Sequence, residues 1–152
     1  MTRHPGIIIA HLLLLALAGC GKPASSELAP RTKTGAEEVA KSFFEALIRE
    51  DWKTAYAALD SESRSWCSSA HFATLGQQHL RQMDFSPTEV NVSVNENGDR
   101  AVANAVYRGV SGTDSKQHRD GAALQRTPAG WAIVLRKNFG RDKPARTGPG
   151  KN

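Results

Sequence analysis

The chain has 152 residues, of which 39% are hydrophobic and 23% are charged. This length and composition indicate one globular domain with short appendages, and they exclude a fibrous or wholly disordered chain. The net charge of +5 is spread along the sequence, without a basic stretch interleaved with aromatics of the kind that binds nucleic acid. We therefore expect no nucleic acid among the partners.

Residues 1–19 have the layout of a secretory signal. One fixed positive charge, on Arg3, precedes an apolar run from Ile7 to Ala18 that only His11 interrupts. The run of about 12 residues makes about 18 Å of helix, whereas a hydrocarbon core needs about 20 residues. We expect a cleaved signal, whose removal leaves a net charge of +4 because Arg3 is its one charged side chain.

Leu17, Ala18, Gly19 and Cys20 end the apolar run and resemble the lipobox of bacterial lipoproteins. That resemblance implies cleavage before Cys20, diacylglycerol on its thiol and acylation of the new amino group. The alternatives are a plain signal peptide in which the cysteine stands by chance, and an uncleaved anchor. Two or more acyl chains anchor a protein stably, so we expect an exported protein held by membrane lipid and facing the periplasm or exterior. Anchoring in the cell membrane and in the outer membrane both stay open; Gly21, where an aspartate would resemble an inner-membrane retention signal, favours the outer membrane in an organism that has one.

The rest of the chain divides by composition into three parts. Residues 20–34, with two prolines and little apolar content, are predicted to be a lipidated cysteine and flexible tether. Residues 35–139 form the predicted folded domain. Residues 140–152 are predicted to be a disordered basic tail, which is either solvated or in weak contact with an anionic lipid or polymer.

Helical patterns open the folded domain. Thr34 and Glu37 fit a capping box, and behind them Val39, Phe43 and Leu47 repeat at i, i+4, i+8. This combination predicts an amphipathic first helix that packs on a core.

Two further helices are predicted. Asp51 is expected to cap the second, in which four apolar residues repeat at helical spacing, namely Trp52, Ala55, Tyr56 and Leu59. The sequence from Asp60 to Arg64 is expected to break the pattern. The third helix is expected to begin near Ser69.

The second half changes to a period of two, which predicts strands. Alternation around residues 90–94 and the Asn97-Gly98 hairpin signal predict a first strand that turns into a second at residues 100–109. A polar loop is predicted at 111–117, then strands at 118–126 and 131–136. Because all connections are short, the strands should form an antiparallel meander. Helices followed by strands indicate an α+β fold.

This order of elements, with Gly130-Trp131 before the last strand, resembles the nuclear transport factor 2-like fold, a cystatin-like cone. It is similar to small bacterial lipoproteins of unknown function that carry such domains, over roughly residues 35–139. The resemblance implies helices packed on a curved four-stranded sheet, with a pocket between them. Relatives include ketosteroid isomerases, dehydratases, polyketide cyclases and members with no activity, so the fold does not select a function.

His118 and Asp120 are the candidates for catalysis. Two residues apart on a strand, they should point to the same face and could form an imidazole–carboxylate pair for proton transfer. The alternative is an exposed polar strand end, which the neighbouring Lys116, Gln117 and Arg119 favour.

Four aromatic side chains are candidates for lining a pocket that takes a small apolar ligand, although such spacing is more often plain core: Trp52, Tyr56, Phe72 and Trp131. His71 and His79 lie eight apart on the third helix, which does not suit a zinc pair, and we take them as ordinary surface or half-buried histidines. We expect neither a metal nor a cofactor. If Cys20 is lipidated, Cys67 has no partner in its chain, and we expect a buried inert thiol in preference to a reactive or intermolecular one.

The leading hypothesis is a membrane-anchored cell-envelope lipoprotein with a non-enzymatic ligand-binding or protein-interaction domain. Its partner would be a small apolar ligand or another envelope protein. The alternative is a small cofactor-independent isomerase or cyclase that uses His118 and Asp120. The orientation of these two side chains, towards the cone interior or towards solvent, separates the hypotheses.

Overall fold

The computed structural model describes residues 34–141, so the predicted signal, Cys20 and most of the predicted tether and tail lie outside the described residues. Within this range, no helix is long and apolar enough to cross a membrane. Helices come first and strands follow, so the predicted α+β class is confirmed. The elements are α1 Ala36–Ile48, α2 Trp52–Ala57, α3 Ser61–Trp66, α4 Ser69–Arg81, β1 Ser86–Asn97, β2 Arg100–Ser111, β3 Asp114–Thr127 and β4 Gly130–Val134.

Aspartate caps begin the two short helices. The Asp51 carboxylate accepts a hydrogen bond from the Thr54 N–H (3.1 Å), as the sequence predicts for α2. The Asp60 carboxylate accepts one from the Ser63 N–H (2.9 Å). The prediction that Asp60 and its neighbours break the helical pattern is therefore wrong in part, because the capped segment starts a helix of its own, α3.

The predicted capping box at α1 is wrong. Gly35, at φ +93°, is the residue that enters the helix, and α1 has no side-chain cap. The Thr34 hydroxyl is used elsewhere: it donates to the Glu96 carboxylate (2.6 Å) and accepts from the Trp131 indole N–H (2.9 Å). Thr34 thus links the start of α1 to the ends of two strands.

The four strands form one antiparallel sheet in the order β1-β2-β3-β4, the predicted meander. Asn97 pairs with Arg100 around the predicted turn, where Gly98 takes φ +61°. The predicted loop at 111–117 is wrong, because Ser111 pairs with Asp114 across a two-residue turn. Both central strands are consequently longer than the sequence pattern indicates.

Helices cover one face of the sheet. On β2, the alternate residues Ala101, Ala103, Ala105 and Tyr107 are buried against them, while Val102 on the opposite face is exposed. The largest fully buried apolar side chains, which define the core, are Tyr107, Phe44, Phe72, Leu47, Leu59, Leu124 and Ile133. The covered face of β2 is therefore lined mostly by small alanines.

The segment after α2 protects the outer edge of β4. Leu59 forms a parallel bridge with Ile133. The Ile133 N–H donates to the Ala58 carbonyl (2.8 Å), and the Asp60 N–H donates to the Ile133 carbonyl (2.9 Å). These hydrogen bonds satisfy backbone N–H and C=O groups at the edge of β4, which could otherwise pair with a strand of another molecule.

Candidate functional site

A buried polar cluster lies on the helix-facing side of the sheet, with Asp120 of β3 at its centre. One carboxylate oxygen, Oδ2, lies 3.1 Å from Nε2 of His79 on α4. The other, Oδ1, accepts a hydrogen bond from Arg136, which follows β4 (2.9 Å). Asp120 therefore connects three parts of the chain.

The Asp120 carboxylate is held in its ionised form. Its side chain is only 7% exposed, and burial alone would raise its pKa. Contact with His79, a hydrogen bond from the Gly121 N–H (2.7 Å) and the Arg136 guanidinium outweigh that effect and lower the pKa below its ordinary value of 3.8. The contact with His79 has the distance of an ion pair without the alignment of an N–H···O hydrogen bond.

Tyr107 of β2 lies beside this cluster. Its side chain is fully buried, and its hydroxyl has no hydrogen-bond partner among residues 34–141. Its ring is 6.4 Å from that of His79 and 6.0 Å from that of Phe44. Burial, followed by the nearby charge of Asp120, raises the pKa of Tyr107 well above its ordinary value of 10.0. The hydroxyl is therefore a neutral donor.

The two catalytic candidates both lie on the cone-facing side of β3. The exposed alternative is wrong for Asp120, whose carboxylate is buried, and His118 is half-buried. The His118 ring lies 6.2 Å from Tyr107 and 6.3 Å from His79. Burial lowers the pKa of His118 below its ordinary value of 6.5. The imidazole in contact with Asp120 is that of His79 and not that of His118, and a catalytic role for His118 and Asp120 stays a prediction.

The sequence contains a signal that His79 is buried. The prediction of an ordinary surface or half-buried histidine does not use it. Phe72, Leu75, Gly76 and His79 occupy positions i, i+3, i+4 and i+7 of α4, and all four are buried. A histidine on the apolar stripe of a helix faces the core and needs a polar partner there. His71, the other histidine of this helix, is exposed.

Little free space remains beside Asp120. The adjoining void has a volume of about 10 Å³ and is bounded by Phe43, Phe44, Arg136 and Phe139, among others. This volume holds at most about one water molecule. Phe139 stacks on His79, with centroids 5.0 Å apart, and closes one side of this void.

Three of the four predicted pocket aromatics pack together on the helical side. Tyr56 lies 5.9 Å from the fully buried Phe72 and donates to the Cys67 carbonyl (3.1 Å). Trp52 covers Gly76 so closely that a Cβ there would collide with its ring. These are core contacts, and the role of the four residues in a ligand pocket stays a prediction.

Trp131, the fourth, lines a surface groove of about 560 Å³ beside α1 and α2. Its ring lies 5.0 Å from the Arg126 guanidinium. A second groove, of about 750 Å³, lies at the opposite end of α1 and is lined by Ile48, Leu80 and Phe85, among others. Both grooves are open to solvent and mix polar with apolar walls.

The described range contains a free cysteine, Cys67, and no cluster of side chains that could hold a metal ion. Cys67 is free and fully buried, and burial raises the pKa of its thiol, as expected for an inert side chain. Residues 34–141 contain no group of three or more histidine, cysteine or acidic side chains arranged to hold a metal ion.

Comparison with known proteins finds similarity in structure only. No protein-family model matches the sequence, and no curated protein is detectably similar to it. The structure is similar to that of an NTF2-like protein with a cystatin-like fold from Novosphingobium aromaticivorans, with 17% identity and a TM-score of 0.44, covering 64% of this chain and 74% of that one.

It is also similar to an NTF2-like protein of unknown function from Shewanella oneidensis, with 10% identity and a TM-score of 0.42, covering 64% of this chain and 89% of that one. A protein of unknown function from Mycobacterium tuberculosis has 10% identity and a TM-score of 0.39, with coverage of 59% and 60%. Similarities of this size support no statement about ligand or activity.

Proposed function

We propose that the chain is an exported lipoprotein, anchored by lipid on Cys20, whose folded domain binds a small ligand without catalysing a reaction. The anchoring rests on the lipobox-like Leu17–Cys20 at the end of an apolar run. The observation that carries the binding is the Tyr107 hydroxyl, a buried donor that no group of residues 34–141 satisfies.

A buried hydroxyl without a partner costs about 1–3 kcal/mol, and an acceptor on a ligand recovers that energy. Rings surround Tyr107, since Phe44, His79 and His118 all lie within 6.4 Å of the Tyr107 ring, centroid to centroid. The ligand that suits these surroundings is small and largely apolar, with one carbonyl or hydroxyl oxygen as acceptor.

The state of Asp120 argues for binding without catalysis. A general base is most effective when its pKa lies near the working pH. The pKa of Asp120 is lowered instead, and its Oδ1 already accepts from Arg136 and the Gly121 N–H. An isomerase-type carboxylate lies in apolar surroundings without such a cation. Asp120 therefore has the chemistry of a structural ion pair.

An isomerase-type or cyclase-type enzyme is the second candidate. The observation that favours it is the contact of 3.1 Å between His79 and Asp120 inside the cone, a histidine–carboxylate pair of the kind used for proton transfer. In this version His79 takes the place predicted for His118.

One probe tests both candidates. Cyclohexanone has a single carbonyl acceptor on a small apolar ring, and its binding can be followed by ligand-observed NMR. We expect wild type to bind it and Tyr107→Phe, which removes only the hydroxyl, to bind it at least about tenfold more weakly, as loss of a buried hydrogen bond implies. In deuterated water, enzyme-dependent exchange of the protons next to the carbonyl, lost in His79→Gln, would support the second candidate and contradict the first. Equal binding by wild type and Tyr107→Phe would exclude the proposed site.

The anchor is tested separately, by metabolic labelling with an alkynyl fatty acid. Cys20→Ser should abolish the label, and Cys67→Ser, the matched control, should keep it. A label that persists in Cys20→Ser would contradict lipidation at that residue. Intact lipidation with no binding of the probe would contradict the ligand-binding half and favour the other predicted partner, another envelope protein.

A further inference from the structure

Residues 135–141, the C-terminal strap, leave β4 and cross to α3 and α4. The Leu135 N–H donates to the Ser63 hydroxyl (2.8 Å), and Gln82 donates from its amide to the Gly140 carbonyl (2.7 Å). Between these two points, the Lys137 ammonium lies 4.1 Å from the Trp66 ring. The strap therefore contacts the helices through side chains at several separate points.

One side chain of the strap occupies the cone. Phe139 is 4% exposed and lies between two rings of the helical layer. Its ring is 5.7 Å from that of Phe72, nearly parallel at 9°, and 5.0 Å from that of His79. The residual void beside Asp120 is bounded by Phe139, so this ring takes up the space in which a ligand would lie.

An ion pair ties the strap to the sheet at Asp120. Arg136 Nη2 lies 2.9 Å from the carboxylate, yet the Arg136 side chain is 45% exposed and water has access to it. The pair therefore has one solvated partner, the guanidinium, and one buried partner, the carboxylate. The strap's own backbone hydrogen bonds, from Phe139 to Arg136 and from Arg141 to Asn138, close turns within the strap. Turns of this length are unstable on their own, so these two hydrogen bonds open when the strap leaves the helices.

From this arrangement we infer that the C-terminal strap is a lid, closed in this structure, with Phe139 as a plug and the Arg136–Asp120 pair as its latch. Opening the lid removes the ring from the cone and uncovers His79 and Asp120, which lie beside Tyr107, while the strands of the sheet stay paired. The inference rests on the proposed function in one respect only: the ligand that binds at Tyr107 takes the space of the Phe139 ring.

The fraction of molecules with the lid open sets the apparent affinity of the protein for its ligand. A ligand that binds only the open form has an apparent Kd equal to its intrinsic Kd divided by the open fraction. A variant that weakens the latch and keeps the Tyr107 hydroxyl, the group proposed to bind the ligand, therefore binds more tightly. Arg136→Met, which keeps much of the apolar stem, should bind cyclohexanone about fivefold more tightly than wild type, the effect of losing a partly exposed ion pair.

The test that does not depend on the ligand is native-state hydrogen exchange. The Phe139 and Arg141 amides report on the strap, and those of Ala103 and Ala105 report on the central strand. We expect Arg136→Met to speed exchange of the strap amides several-fold with no change in β2. Arg119→Met is the matched control, since it removes the same charge from the exposed position next to Asp120 and should change neither set.

Exchange of the strap amides at the rate of β2, in both wild type and Arg136→Met, would overturn the lid, because the strap would then open only when the whole domain unfolds. Local opening without binding of cyclohexanone by any variant would support the lid and contradict the proposed ligand. Binding by wild type that Arg136→Met leaves unchanged would overturn the latch while the proposed binding function stands.

Discussion

Gln125 of β3 donates a hydrogen bond from its side-chain amide to the carboxylate of Asp60, 65 residues earlier in the chain (2.8 Å). Asp60 is 2% exposed, and its other carboxylate oxygen caps α3 at Ser63. One side chain thus fixes both the start of a helix and its position against the sheet. The same segment pairs with the edge of β4. Asp60 therefore takes part both in a local helix cap and in contacts with strands distant in the chain.

Removal of this carboxylate should destabilise the domain more than removal of an exposed cap. Asp60→Ala breaks two hydrogen bonds and leaves Gln125 without its partner, for a loss of about 2–4 kcal/mol in the free energy of unfolding. Asp51→Ala is the control, because it removes an exposed cap of α2 and should cost about 1 kcal/mol. Urea denaturation measures both values. Equal losses would show that the contact with Gln125 contributes nothing.

The lowered pKa of Asp120 makes part of the stability depend on pH. The carboxylate binds a proton less readily in the folded than in the unfolded state, so its contribution is fully present above the ordinary pKa of 3.8. It is lost as the pH falls through the lower, folded-state value.

Asp120→Asn, which cannot ionise, isolates this contribution. At neutral pH the variant should be less stable than wild type by about 1–3 kcal/mol, since Arg136 and His79 lose a charged partner. The difference should shrink as the pH falls below 3.8, where the unfolded-state carboxylate is protonated, and should be lost below the lower, folded-state pKa. Chemical denaturation of both proteins from pH 7 to pH 2.5 gives the difference at each pH. A constant difference over this range would contradict the ion pair.

Much of the fold could be predicted from the sequence because its signals are local. Asp51 precedes a helical repeat and caps it, and Asn97-Gly98 opens a hairpin in which Asn97 pairs with Arg100. Thr34 shows the limit of such reasoning. The sequence around Thr34 fits a capping box, but its hydroxyl does not cap the helix. It accepts a hydrogen bond from the Trp131 indole and donates one to the Glu96 carboxylate, and both residues are distant in the chain.

The site could be predicted only in part for the same reason. The period of two places His118 and Asp120 on one face of β3, yet their charged neighbours favour exposure to solvent. What buries Asp120 comes from elsewhere: His79 on α4 and Arg136 after β4 both reach it. A pairing between three separate segments leaves no periodic signal, so the tertiary structure is needed to identify it.

Gly140 holds the strap at a position that requires glycine. Its φ of +72° is strained for other residues, and a Cβ there would collide with the Leu75 carbonyl of α4. Gly98 has a similar φ of +61° with open space around it. Gly98→Ala should therefore cost about 1 kcal/mol from backbone strain alone, and Gly140→Ala should cost more. Thermal unfolding of the two variants compares them, and a smaller loss for Gly140→Ala would mean that its contact with α4 is dispensable.

Cys67 should react with thiol reagents only when the domain unfolds. Its side chain is fully buried, and burial raises the pKa of the thiol above 9.0, so little thiolate forms at neutral pH and none of it is accessible. In a Cys20→Ser variant Cys67 is the one remaining cysteine, so labelling with a chromogenic disulfide reports on it alone. We expect slow labelling in buffer and rapid labelling above the urea midpoint. Rapid labelling without denaturant would place the thiol at the surface and contradict the packing of α3 against the core.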